Sequence, residues 1–100
     1  MIESEDKKII HTPGHVPNHY SLFVTIEKEK FLLAGDLFWW KIDEKQETNY
    51  ESLLNHKDSF AEDKEKLIKS RKKVLKIADW IIPGHGKTFR NPNNKESYER

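Results

Sequence analysis

The sequence predicts a mixed α/β (α+β) layer: one sheet with one long and one short helix. Three observations point to it. Short apolar runs bounded by turn residues lie before residue 35, a stretch with helical spacing covers 61–78, and a further apolar run follows at 80–82. Taken in order, Ile9-Ile10 closes a short first strand. Tyr20 to Ile26 is a second, rich in β-branched and aromatic residues. The charged segment Glu27-Lys28-Glu29-Lys30 turns the chain into a third strand, Phe31 to Ala34, so these two form a hairpin. A short helix is expected at Tyr50 to His56, with Thr48 and Glu51 at capping-box spacing. In the long helix, Leu67, Arg71, Val74 and Ala78 recur at steps of four, three and four, with Ile68, Leu75 and Ile77 beside them and Ser59 and Glu62 spaced as a capping box. Trp80-Ile81-Ile82 is the last strand. Residues 1–90 are read as the folded part and 91–100, which are polar and open on Asn91-Pro92-Asn93-Asn94, as a flexible tail.

Composition narrows the classes. Of 100 residues, 35% are hydrophobic and 35% charged, which gives a single domain with a thin apolar core. No purely apolar run exceeds four residues, and the N-terminal Met-Ile-Glu-Ser-Glu-Asp lacks the basic-then-apolar order of a signal peptide, so neither a membrane span nor secretion is expected. With no cysteine the expected setting is the cytoplasm. A formal net charge of +1 supplies no overall field for a polyanion. The lysines of the long helix, Lys64, Lys66, Lys69, Lys72, Lys73 and Lys76 with Arg71, are interleaved at its front end with Glu62, Asp63 and Glu65. They read as a solvated face more than as a nucleic-acid surface.

The informative feature is how three apolar runs end. Ile9-Ile10 leads into His11-Thr12-Pro13-Gly14-His15, Phe31-Leu32-Leu33-Ala34 into Gly35-Asp36, and Trp80-Ile81-Ile82 into Pro83-Gly84-His85-Gly86. Each is a strand, then glycine, then a side chain able to bind metal. Strands of one sheet bring their ends to a common edge, and glycine allows backbone approaches that a Cβ blocks. Two imidazoles and a carboxylate gathered there suit zinc, iron or manganese.

These three strings, His11-Thr12-Pro13-Gly14-His15, Leu33-Ala34-Gly35-Asp36-Leu37-Phe38 and Ile82-Pro83-Gly84-His85-Gly86, resemble the later motifs of the metallo-β-lactamase fold superfamily, in that family's order and over residues 7–90. The resemblance implies that His15 is a ligand of a first metal, Asp36 a carboxylate bridging two metals, and His85 a ligand of the second, with one or two divalent ions in a completed site. By the same resemblance His11 is a loop residue and no ligand, and no ligand maps to His19, which would lie near the mouth of the site. His56 is expected to be exposed or structural.

The family's first motif, H-x-H-x-D-H, has no counterpart, since no His-x-His occurs in these 100 residues. The chain is therefore expected to be the C-terminal half of an αββα sandwich. Its metal set would be incomplete, its metal affinity weak and its hydrolysis poor, unless a partner chain or self-association supplied the missing half. Two function classes stay open. One is a metal-dependent hydrolase, or half of one, acting on a small-molecule ester, amide, thioester or phosphodiester. The other is a non-catalytic binding or regulatory module that keeps the fold. Phe38, Trp39 and Trp40 next to Asp36 are read first as core or interface and second as a pocket lining.

Overall fold

The computed structural model describes residues 6–92. Five strands form one sheet in the order β1 (Lys7–His11), β2 (Tyr20–Ile26), β3 (Glu29–Trp39), β4 (Trp80–His85) and β5 (Phe89–Arg90), with helices α1 (Tyr50–Leu54) and α2 (Lys64–Leu75) between β3 and β4. All neighbours are antiparallel except β3 and β4, which run parallel. A parallel pair needs a crossover, and the two helices are that crossover. The mixed sheet with one long and one short helix is thus the architecture expected from the sequence.

The differences from expectation have local causes. Only Glu27 and Lys28 turn the hairpin, both with positive φ, 51° and 71°. Such a pair matches the twist of the flanking strands, so β3 opens at Glu29, before its apolar run. It also continues past Ala34 to Trp39, because β4 pairs with it from Phe31 as far as Trp39 through two register shifts. Asp36 therefore sits within a strand instead of after one. β5 is two residues long and carries no sequence signal.

α1 starts at Tyr50, as expected, but is capped by the residue after Thr48 and ends at Leu54, before His56, while α2 starts later than its capping-box spacing suggests. Asn49 caps α1, its side chain accepting from the Ser52 N–H, and Asp63 caps α2 by accepting from the Lys66 N–H. Residues before Asp63 are engaged elsewhere: the Phe60 N–H donates to the Asp58 carboxylate, and the Glu62 and Asp63 N–H groups donate to the carbonyls of His15 and Gly14. Within α2, Leu67, Ser70, Arg71, Val74 and Leu75 are buried, the stripe an amphipathic helix presents.

The helices cover one face of the sheet. Phe23, Leu32, Ala34 and Ile81 from that face join Leu53, Leu67, Val74 and Leu75 in the core, with Phe38, Trp40 and Phe89. Phe38 and Trp40 are therefore core, as read first, whereas Trp39 is only half-buried. The other face carries Ile9, Tyr20 and Leu33, exposed to 70%, 55% and 40%, with Leu22 and Ile82 half-buried beside them. Asn91, assigned from sequence to the tail, is buried; its side-chain amide donates to the carbonyls of Leu75 and Ala78 and closes the C-terminal end of α2. The rest of the expected tail, 93–100, lies outside the described residues. Among the described residues no helix is long and apolar enough to cross a membrane.

Candidate metal centre

The loop after β1 lies across the first turns of α2. Gly14 makes this possible: at φ 144°, a Cβ there would sit 2.3 Å from the Leu67 Cα. Four carbonyls from His11 to His15 are matched from α2 and the residues just before it. Lys73 Nζ donates to His11, Ser70 Oγ to Pro13, the Asp63 N–H to Gly14 and the Glu62 N–H to His15.

His15 is presented from this loop with its ring fixed at Nδ1. Nδ1 lies 2.6 Å from Oδ2 of Asp58, whose side chain is completely buried, and Nε2 lies 3.5 Å from Oδ2 of Asp36, whose side chain is 58% exposed. Burial pushes the Asp58 carboxyl up, but hydrogen bonds from the His15 ring, the Phe60 N–H and Trp39 Nε1 outweigh it and hold the group below its ordinary value. Asp58 is therefore an acceptor, His15 Nδ1 carries the donated proton, and Nε2 is the nitrogen turned toward Asp36. That is the arrangement of a metal-bound imidazole with a carboxylate behind it. An imidazole nitrogen facing a carboxylate oxygen across 3.5 Å calls for a cation between them, either a proton or a metal. Two bonds of about 2.1 Å at a tetrahedral angle would set their donors about 3.4 Å apart, so His15 and Asp36 fit two positions on one ion.

His85, the last residue of β4, is fixed by different means. Its Nδ1 lies 2.7 Å from the Trp40 carbonyl, and the Trp40 N–H donates to the His85 carbonyl at 2.9 Å, so again Nε2 is the nitrogen left open. The following turn is clasped by Gln46, which donates to the Lys87 carbonyl and accepts from the Lys87 N–H. A cleft of about 530 Å³ opens beside His85, lined by Trp40, Lys41, Ile42, Gln46 and Lys87 among others.

Of the three residues singled out from sequence, the structure brings His15 and Asp36 together and holds His85 ready at another strand end. Among the described residues no group of three or more His, Cys, Asp or Glu side chains gathers closely enough to hold a metal ion. His11 ends β1, reaches the Pro17 carbonyl through Nε2 and lies tilted against the Tyr20 ring. His56 is structural: it donates from Nε2 to the Trp39 carbonyl and packs on Trp40. His19 lies against β3, where Nε2 accepts the Asp36 N–H at 2.9 Å, and burial lowers its pKa below 6.5 against the opposing pull of Asp36. Trp39 flanks His15 edge-on at 6.4 Å between ring centroids and donates to Asp58. Arg71 is buried, donating to the carbonyls of Leu37, Leu54 and His56, and so leaves the basic face of the helix.

Asp58 was not legible as a site residue. Its only local signal is the turn it makes with Phe60, and nothing in its spacing links it to His15.

No protein-family model matches the sequence. A metallo-beta-lactamase domain-containing protein 1 from Xenopus laevis is 37% identical over 87 residues, which are 86% of this chain and 33% of that protein. Among solved structures, AidC, a dizinc quorum-quenching lactonase in complex with a product, superposes with a TM-score of 0.58 at 18% identity, over 84% of this chain and 28% of the lactonase. The hydrolase AbOPH of the β-lactamase superfamily gives 0.57 at 19% identity, over 82% and 28%. An N-acyl homoserine lactone hydrolase with its product at the catalytic metal centre gives 0.53 at 20%, over 95% and 34%. The resemblance to the metallo-β-lactamase superfamily read from the three motifs is thus present in both sequence and fold. The chain spans about a third of the length of these relatives and has the fold of part of such a domain.

Proposed function

We propose that this chain carries one share of the active site of a metal-dependent hydrolase of the metallo-β-lactamase type, acting on a small molecule with an ester, lactone, thioester or phosphodiester bond. His15 and Asp36 would hold a divalent ion, zinc by the chemistry of an imidazole and carboxylate pair with iron or manganese as alternatives, and His85 would serve a second position. A bound ion of this kind lowers the pKa of water and polarises the bond to be cleaved. The observation that carries the reading is a shared orientation: in both His15 and His85, Nδ1 is engaged and Nε2 left open, with a carboxylate oxygen 3.5 Å from the first. A histidine kept only for packing needs no such common orientation.

Further ligands are required to complete either position, and the uncovered sheet face around Ile9, Tyr20, Leu22 and Leu33 is where a completing layer would pack. The chain alone should therefore bind metal weakly and hydrolyse little. Equilibrium dialysis against zinc and cobalt, with His15→Ala, Asp36→Ala and His85→Ala, tests the assignment. Binding that falls about tenfold or more for His15→Ala and Asp36→Ala supports it. A wild-type chain that stays metal-free in excess zinc, or variants that bind as wild type does, would remove it. Rapid metal-dependent turnover by the chain alone would overturn the partial site.

A further inference from the structure

The antiparallel pairing of β2 with β3 runs from Ile26↔Glu29 to Leu22↔Leu33. Continued in the same register, it would set Ser21 opposite Ala34, Tyr20 opposite Gly35 and His19 opposite Asp36. Instead Gly35 adopts a left-handed φ of 58°, and side chains take over from the backbone. Ser21 Oγ donates to the Ala34 carbonyl at 3.2 Å, and His19 Nε2 accepts the Asp36 N–H at 2.9 Å.

The polarity of this network is fully determined. An amide N–H only donates, so Nε2 of His19 bears a lone pair and the ring proton lies on Nδ1. Nδ1–H, 2.8 Å from Thr12 Oγ1, donates to it. The Thr12 hydroxyl then has its own hydrogen for Ser21 Oγ, 2.9 Å away, and Ser21 passes its hydrogen to the Ala34 carbonyl. Thr12 and Ser21 are buried, and each hydrogen is used once. The chain of bonds starts and ends on β3, on either side of Gly35, where a Cβ would stand 2.9 Å from His19 Nε2.

We infer that His19 is a positioning residue for Asp36 and not a metal ligand: in its Nδ1–H tautomer it pins the Gly35–Asp36 backbone and so sets the exposed Asp36 carboxylate beside His15. The effect on metal binding rests on the reading of Asp36 as a ligand; the tautomer and the pinned backbone do not.

The experiment is ¹⁵N-resolved NMR of the 100-residue chain, first without metal. His19 should show a protonated Nδ1 and an unprotonated Nε2, and the Asp36 amide should exchange slowly. In His19→Ala that exchange should rise at least tenfold and zinc affinity should fall about tenfold. His19→Gln, whose side-chain oxygen can accept the same N–H, should recover most of both. An Nε2–H tautomer, an Asp36 amide indifferent to His19→Ala, or a His19 Nε2 resonance that moves to a metal-bound position on zinc titration would each overturn the inference. If the wild type takes up no zinc, the proposed function fails while tautomer and exchange still decide the role of His19. If His19→Ala does not fold, the wild-type tautomer and His19→Gln decide it.

Discussion

His15 and His85 reach the same orientation from opposite kinds of support. His15 stands on a loop draped over α2 and is fixed by a buried carboxylate, Asp58, brought from the segment between the helices. His85 stands at the end of a strand and is fixed by a neighbouring backbone carbonyl, with Gln46 clasping the next residue. The first support is a side chain that places negative charge behind the ring. The second adds only a dipole, and no substitution removes it. The His15 side is therefore the tunable one, and the more fragile one, since its parts come from β1, α2 and the loop before α2.

The largest break of this comparison should come from Gly14→Ala. A Cβ against the α2 backbone at positive φ should cost about 4 kcal/mol, visible in urea unfolding, and should disorder His15 while leaving the His85 turn intact by NMR. Arg71→Ala removes the donor shared by the carbonyls of Leu37, Leu54 and His56, and should lower unfolding stability by about 3 kcal/mol. Asp58 follows that loop, so the His15 ring should lose its fixed orientation in this variant. Asp58→Asn sharpens the contrast: a loss of about 2 kcal/mol in thermal unfolding and at least a tenfold weaker affinity for zinc, with the His85 ring resonances unmoved. Gln46→Ala should be the mildest, about 1 kcal/mol in the same unfolding assay, with faster amide exchange at Lys87 and no change at His15.

Much of the frame was readable because it is periodic or local. The β-branched and aromatic run Tyr20 to Ile26 and the stripe through Leu67, Arg71 and Val74 are short-range patterns, and the structure keeps the elements they announce; the strand end read at Gly35-Asp36 is instead the middle of β3. The start of α1 at Tyr50 was legible, whereas that of α2 was misplaced because competition for its first N–H groups comes from far away: Glu62 and Asp63 bond to the His15 loop before the helix can use them. Arg71 shows the same limit. Its place in an apolar stripe was visible, whereas the three carbonyls that make its burial tolerable come from β3, from the end of α1 and from the segment after α1.

The sequence by itself determined which chemistry is on offer: two imidazoles and a carboxylate each preceded by glycine, glycines where backbones must pass closely, and one amphipathic helix to back a sheet. Residue type and short spacing are enough for that. Only the tertiary structure decided which nitrogen each imidazole presents, that Asp58 stands behind His15, and that His19 holds the backbone of Asp36. Those are properties of contacts between segments distant in sequence, and a hydrogen bond is defined by where its two ends meet, which no local pattern records.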